Sequence, residues 1–405
     1  MSAGVPLPSA KRPRIPASIW ALGVVSLFTD LGSELVHSLL PLYLAGALGA
    51  SALAIGLIEG AAEALALVVK AFSGYVSDLV RRRKPLVVLG YALAALSKPL
   101  FPLASGAGDV LGARLLDRLG KGIRGAPRDA LMADLAPKEI RGAAFGLRQS
   151  LDTVGAVAGP LAAVALMLAF AGDIQLALWG AVVPGVIAVA ILAIGVREPD
   201  RTTTPVAARL PISREGLRRL GRGFWMVTAV GGLLALARFT EAFLVLRASS
   251  LGIANTWVPV VMAAMAGAYA LTAWPAGRWS DTTDRRVVLA TGMGLLAVAD
   301  LVLATAASVP MLGLGVLVWG AHLGLTQAVL STLVADQAPA ELRGTAFGAF
   351  NLVQGAALLV ASGGAGWLWD HYGAAAPFWA GAALALVGVL AVSLLRAQGP
   401  GQRAQ

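Results

Sequence analysis

The chain has 405 residues, 58% of them hydrophobic and 13% charged, with a formal net charge of +10. A mean hydropathy of +0.76 excludes an ordinary soluble domain, whose apolar share is about 45–50%. The absence of cysteine also excludes disulfides, thiolate metal sites and cysteine nucleophiles.

Residues 1–16 (MSAGVPLPSAKRPRIP) are polar, basic and proline-rich, lack the apolar core of a signal peptide, and are predicted to form a cytoplasmic tail. A helix needs about 20 apolar residues to cross a hydrocarbon core of about 30 Å. Segments of that size recur at 17–43, 52–78, 85–105, 108–135, 141–171, 174–196, 223–247, 255–280, 287–307, 310–335, 344–369 and 374–396. The fourth is the least apolar. It contains DRLGKGIRGAPRDALMAD (117–134), where Arg118, Lys121, Arg124 and Arg128 follow Arg114 and alternate with Asp117, Asp129 and Asp134.

Loop charge supports that fourth span. One set of connections carries Lys11, Arg12 and Arg14, then Arg81 to Lys84, Lys138 and Arg141, Arg197 to Arg222, Arg285-Arg286, Arg343, and Arg396 with Arg403. The alternate connections (AGALGAS, SGAGD, AGD, ASSLGIANT, AASVP and DHYGAA) hold no Lys or Arg. Removing the fourth span would invert every later loop. Lys and Arg accumulate on the cytoplasmic side, so both termini are predicted to be cytoplasmic in a multi-pass bacterial inner (plasma) membrane protein. The basic balance then reports topology, and no nucleic-acid partner is expected.

The polar stretch 197–222 divides the chain into a six-helix bundle at 17–196 and another at 223–396, with a cytoplasmic tail at 397–405. The halves repeat. GYVSDLVRRR (74–83) matches GRWSDTTDRR (277–286), and ADLAPKEIRGAAFG (133–146) matches ADQAPAELRGTAFG (335–348), at offsets of 203 and 202. A weaker echo joins Phe28-Thr29-Asp30 to Phe239-Thr240-Glu241. Parallel repeats imply a pseudo-two-fold axis along the membrane normal, an arrangement suited to alternating access around a central site.

These residues resemble the major facilitator superfamily. Gly74, Asp78, Arg82 and Arg83 are similar to its loop signature between spans 2 and 3, with Leu79 and Arg81 departing from it; Asp281 and Arg285 stand in the second copy. Arg118, Gly122 and Gly125-Ala126 resemble the span-4 motif of proton-coupled drug exporters. Gly146, Gly155, Gly159 and Pro160 follow the antiporter motif of span 5, whose closing glycine pair is Ala163-Val164 here. The resemblance implies an all-α membrane protein of twelve helices in two pseudo-symmetric six-helix bundles. It further implies a cavity lined by spans 1, 4, 7 and 10, and a conformational latch at the loop signature.

Ionisable residues at mid-membrane usually face the bundle interior and serve function. Asp30, Glu34 and His37 share one face of span 1, and Glu59, Glu63 and Lys70 one face of span 2. Counted at about 1.5 Å per residue, Glu34 and Glu59 lie level with Arg118, and Asp30 and Glu63 level with Lys121. Two readings follow: ion pairs that fix packing, or carboxylates that titrate during transport. Asp30 and Glu34 are the first candidates for proton coupling, followed by Glu59, Glu63 and Glu241, with Arg118 as modulator. The expected substrate-facing set is His37, Lys121, Arg124, Arg238, Phe239, Phe243, His322 and Gln327, with His37 read mainly as a hydrogen-bonded structural residue.

No cofactor or metal is expected: the three histidines are far apart, and neither HExxH nor a phosphate loop occurs. The chain is therefore read as a non-enzymatic, monomeric transporter whose partners are protons, a small-molecule substrate and the bilayer. The leading expectation is proton-coupled export of a small organic molecule. A proton symporter for an organic anion or chelate, and a transporter-like sensor without flux, are the alternatives.

Overall fold

Nearly every described residue is helical, as a chain in hydrocarbon requires, because each backbone polar group must find its partner within the protein. The computed structural model describes residues 15–79, 82–198, 212 and 214–395. Most of the predicted N-terminal tail, most of the linker 197–222 and the C-terminal tail lie outside these residues.

The first half comprises α1 (Ala17–Leu42), α2 (Ala52–Leu79), α3 (Lys84–Ser97), α4 (Ala107–Leu135), α5 (Arg141–Ala169), α6 (Ile174–Trp179) and α7 (Val182–Gly195). After a short α8 (Arg214–Arg219) come α9 (Arg222–Ala237), α10 (Ala242–Ser250), α11 (Val260–Thr282), α12 (Arg285–Thr305), α13 (Val309–Gln337), α14 (Arg343–Tyr372) and α15 (Ala376–Val392). Each predicted span coincides with one helix or one broken pair. Among the described residues nine spans are long and apolar enough to be recognised by composition. The other three are α3 and α15, which are short, and α4, a 29-residue helix too charged to qualify.

Three spans are less regular than hydropathy predicts. Span 3 ends in a tight turn at Lys98–Leu100, where Pro99 removes a backbone donor. Span 6 breaks between α6 and α7. Span 7 breaks at Arg238–Glu241, between α9 and α10. There Thr240 N donates to Ser362 Oγ at 3.2 Å and Ala242 N to Thr240 Oγ1 at 3.4 Å. Side-chain acceptors thus replace the helical ladder, as Ser and Thr can do.

Within the first half α1 packs on α5 and α7, α2 on α4, and α3 on α4 and α7; within the second, α12 packs on α13 and α15, and α11 on α13. The halves meet through α2 with α14, α5 with α11, and α1 with α10. Small residues allow the closest of these contacts: a methyl group at Gly366 would lie 2.5 Å from Leu53 Cα, and one at Gly60 3.1 Å from Leu359 Cα. Asp370 closes the seam by accepting from Ala52 N at 3.0 Å and Leu53 N at 2.9 Å. Towards the basic loops α2 and α14 part around a cavity lined by Leu67 and Lys70 on one side and Phe350 and Gln354 on the other. The bundle is therefore closed at the face without basic loops and open at the basic face.

Each half is fastened to itself at that basic face. Arg83 Nη1 donates to Asp134 Oδ2 at 2.8 Å, and Arg285 pairs with Asp336. Both partners of the second pair lie 202 residues after those of the first. Gly74 faces Ala126 of α4, Arg82 is exposed, Asp281 lies in the last turn of α11, and the side chain of Asp78 lies outside the description. Large apolar side chains such as Ile194, Leu271 and Leu390 are more than 70% exposed on the outer surface, where lipid would cover them.

Candidate functional site

The charged stripe of α4 survives because α1, α2 and the end of α3 supply its partners. Arg114 is fully buried and bonds Glu59 edge-on, Nε to Oε1 at 2.9 Å and Nη2 to Oε2 at 2.5 Å. Arg118 Nε lies 3.0 Å from Glu63 Oε1. Asp117 receives Lys98 Nζ at 2.8 Å and lies 3.6 Å from Arg114 Nη1; Lys98 also reaches Ser33 Oγ at 3.0 Å. On α1, His37 stands between two carboxylates, with Nδ1 3.5 Å from Glu34 and Nε2 3.6 Å from Glu59. Glu59, 1% exposed, is closed inside its pair with Arg114. Glu34 and Glu63, by contrast, reach a cavity.

That central cavity, about 350 Å³, has two unlike walls. The first half contributes Glu34, His37, Glu63, Arg118 and Lys121. The second contributes Arg238, Phe239, Glu241 and Gln327 among Met262, Met265, Tyr269, Leu323 and Leu358. Arg238 and Gln327 also line the cavity of about 260 Å³ that parts the halves towards the basic face. Arg238 and Glu241 reach the cavity because the break in span 7 replaces a helical turn with extended and turn backbone.

Besides Glu59, four expected site residues lie outside the cavities. Arg124 is buried over the ring of Tyr91, 4.6 Å from its centroid, on the α3–α4 side. His322 is fully buried, with Nδ1 on the Trp319 carbonyl and its ring edge-on to Trp319. Phe243 stands behind Phe239, with ring centroids 5.5 Å apart, and against Trp369. Asp30 lies one turn from Glu34 on the α1–α5 side, where Asp152, Arg124 and Lys121 are the charged groups acting on it.

The antiporter-type motif seats α1. A methyl group at Gly155 would lie 2.5 Å from Leu27 O and 3.1 Å from Asp30 Cβ; at Gly159 it would lie 2.6 Å from Leu31 O and 2.8 Å from Glu34 Cβ. Both glycines thus let α5 press against the turns that carry the two carboxylates, with Pro160 buried in the same stretch. Gly146 has open space around it.

Lys98, Asp152 and Asp300 were absent from the sequence-derived site. Lys98 and Asp300 are each a lone ionisable residue in an otherwise apolar segment, and Asp152 pairs with Arg148 one turn away on α5; the rule applied to spans 1 and 2 would have found them.

The sequence profile described as Major Facilitator Superfamily matches residues 22–247 and again 229–405. The chain is 32% identical over 370 residues to a protein of Mycobacterium tuberculosis, covering 89% of each. It is 28% identical over 381 residues to the multidrug resistance protein MdtH of Edwardsiella ictaluri, covering 91% of each. The crystal structure of the nucleoside transporter NupG superposes with a TM-score of 0.76 at 13% identity, covering 94% of this chain and 99% of that one. Two matches to one profile, a repeated sequence and twelve spans around a central cavity lead to one conclusion: the chain belongs to the Major Facilitator Superfamily, as a multi-pass membrane protein that works as a secondary transporter of small molecules and not as an enzyme.

Proposed function

We propose that the protein exports a small, amphiphilic organic molecule in exchange for protons. The observation that carries this reading is the pair of unlike walls: titratable carboxylates on the first half, and an apolar, aromatic surface with Arg238 and Glu241 on the second. Glu34 faces the cavity with only His37 as a near partner, while Glu59 and Glu63 are each held by an arginine. Asp30 and Glu34, one turn apart above the glycines of α5, are the proton carriers in this scheme. Lys121 and Arg118 bias their ionisation as the walls move, since a nearby cation favours a carboxylate and its withdrawal favours the acid. In this scheme the basic loops face the cytoplasm, by the accumulation of Lys and Arg on that side, together with both termini and the open mouth of the cavity. Substrate enters there, and protons enter from the opposite face. The likeness to a multidrug resistance protein supports the export direction.

The test is flux in proteoliposomes under an imposed pH gradient, with an amphiphilic fluorescent dye as cargo. Dye movement against the proton flow, abolished by collapsing the gradient, is expected. Uptake of an organic anion together with protons would replace export with symport, and binding without gradient-dependent flux would favour a sensor.

A further inference from the structure

Asp300 is the carboxylate that the scheme above leaves unused. It lies in the C-terminal half of α12, five residues before its end, is fully buried, and neither of its oxygens has a hydrogen-bond partner among the described residues. Its surroundings are defined by Gly381 of α15: a methyl group there would lie 2.5 Å from Asp300 Oδ2, 3.1 Å from Ala237 O and 3.1 Å from the ring of Phe239. The repeat shows why it stands alone. At the offset of 202, Asp300 corresponds to Lys98, and Trp319 to Asp117. Lys98 likewise packs beside a glycine of the sixth span of its half, with its Cγ 3.6 Å from a methyl placed on Gly185, but it has Asp117 and Ser33 as partners. In the second half the partner position is an indole.

The neighbouring elements supply no charge to replace it. Helix α15 carries no titratable residue. On α13, His322 is bonded to the Trp319 carbonyl, and Asp336 is held by Arg285 at the basic face. Arg238 and Glu241 line the cavity, as does Tyr269 of α11, whose Arg278 lies over Trp274. Arg247 donates to the carbonyls of Leu303, Ala304 and Ala306, about one turn beyond Asp300 at the end of α12. An ionised carboxylate without a partner in such a place is costly, whereas a carboxylic acid needs only one acceptor. Ala237 O is one of the last four carbonyls of α9, which a helix end leaves without intrahelical donors.

We infer that Asp300 is a proton-binding site of the second half, held as the neutral acid while the basic face is open, with its O–H towards Ala237 O and its exchange with the cavity gated by Phe239. Phe239 fits that role because its ring lines the cavity and also borders the space beside Asp300. It stands in the broken segment of span 7, where the backbone lacks a helical ladder to hold it. Its use in transport rests on the proton-coupled reading given above; its existence does not.

Infrared spectroscopy of the purified full-length protein tests this through the C=O stretch of a protonated carboxylic acid. At neutral pH the wild type is expected to show such a band and Asp300→Asn to lose a component of it, the remainder belonging to any other protonated carboxyl. Phe239→Ala, which keeps Asp300, is expected to speed the shift of that band in heavy water at least tenfold. A spectrum that Asp300→Asn leaves unchanged, or an exchange rate that Phe239→Ala leaves unchanged, would overturn the proposal. A wild-type protein without gradient-driven flux would sink the export reading, and the band would still decide the Asp300 site.

Discussion

Arg114 and Glu59 meet through two parallel hydrogen bonds with both side chains closed to solvent. The pair joins α4 to α2 at a level where neither charge can reach water. Glu59→Ala strands the guanidinium and is expected to cost about 3–5 kcal/mol, the usual penalty for breaking a buried pair from one side. Replacing both by apolar residues of similar volume should recover most of that loss. Thermal unfolding of the detergent-purified protein reads both changes, and equal midpoints for the single and double variants would refute the assignment.

Asp30→Asn and Glu34→Gln address proton coupling rather than the scaffold. Each keeps side-chain volume and removes a titrating oxygen. Gradient-driven flux is expected to fall at least tenfold in at least one of them, with substrate exchange across equal pH continuing. Proton coupling that persists in both variants would move the carrier to another carboxylate.

Gly159→Val and Gly146→Ala separate packing from motif membership. The first forces a side chain against the Leu31 carbonyl and Glu34 Cβ, so α1 must retreat from α5. The second adds a methyl group to open space. Transport should fail in Gly159→Val, with a lower unfolding midpoint, and stay within twofold in Gly146→Ala. Similar losses in both would show that the motif acts by something other than the α1–α5 approach.

Asp370→Ala removes the carboxylate that caps α2 from across the seam. Capping side chains contribute about 0.5–2 kcal/mol, and a change of that order shifts a two-state equilibrium by roughly 2–30-fold. The population open at the non-basic face is expected to rise by that factor, read from distances between spin labels on introduced cysteines, for which the cysteine-free chain gives no background. An unchanged distance distribution would remove Asp370 from the closure.

Alternating loop charge made α4 legible where hydropathy did not, and the repeat made the two halves legible. Depth counting brought the right groups together one turn out of register. It set Arg118 level with Glu59 and Lys121 level with Glu63, whereas Arg114 takes Glu59 and Arg118 takes Glu63. Counting from the loops assumes untilted axes, and spans tilt. The break in span 7 was invisible because it depends on Ser362, 122 residues away from Thr240. Arg124 and His322 were misplaced for a related reason: helical face alone does not say which neighbour a face meets. Tyr91 and Trp319 decide that.

The unlike walls of the cavity carry a consequence for the cargo itself. A molecule with one polar edge and one greasy edge has a single way to lie between Glu34 and Lys121 on one side and Met262 and Leu323 on the other. Because most of the charge stands on one half and most of the apolar surface on the other, with Arg238 and Glu241 at the break in span 7, rocking the halves favours that orientation about the membrane normal. A cargo with the same groups but no division into a polar and an apolar edge should therefore be carried more slowly.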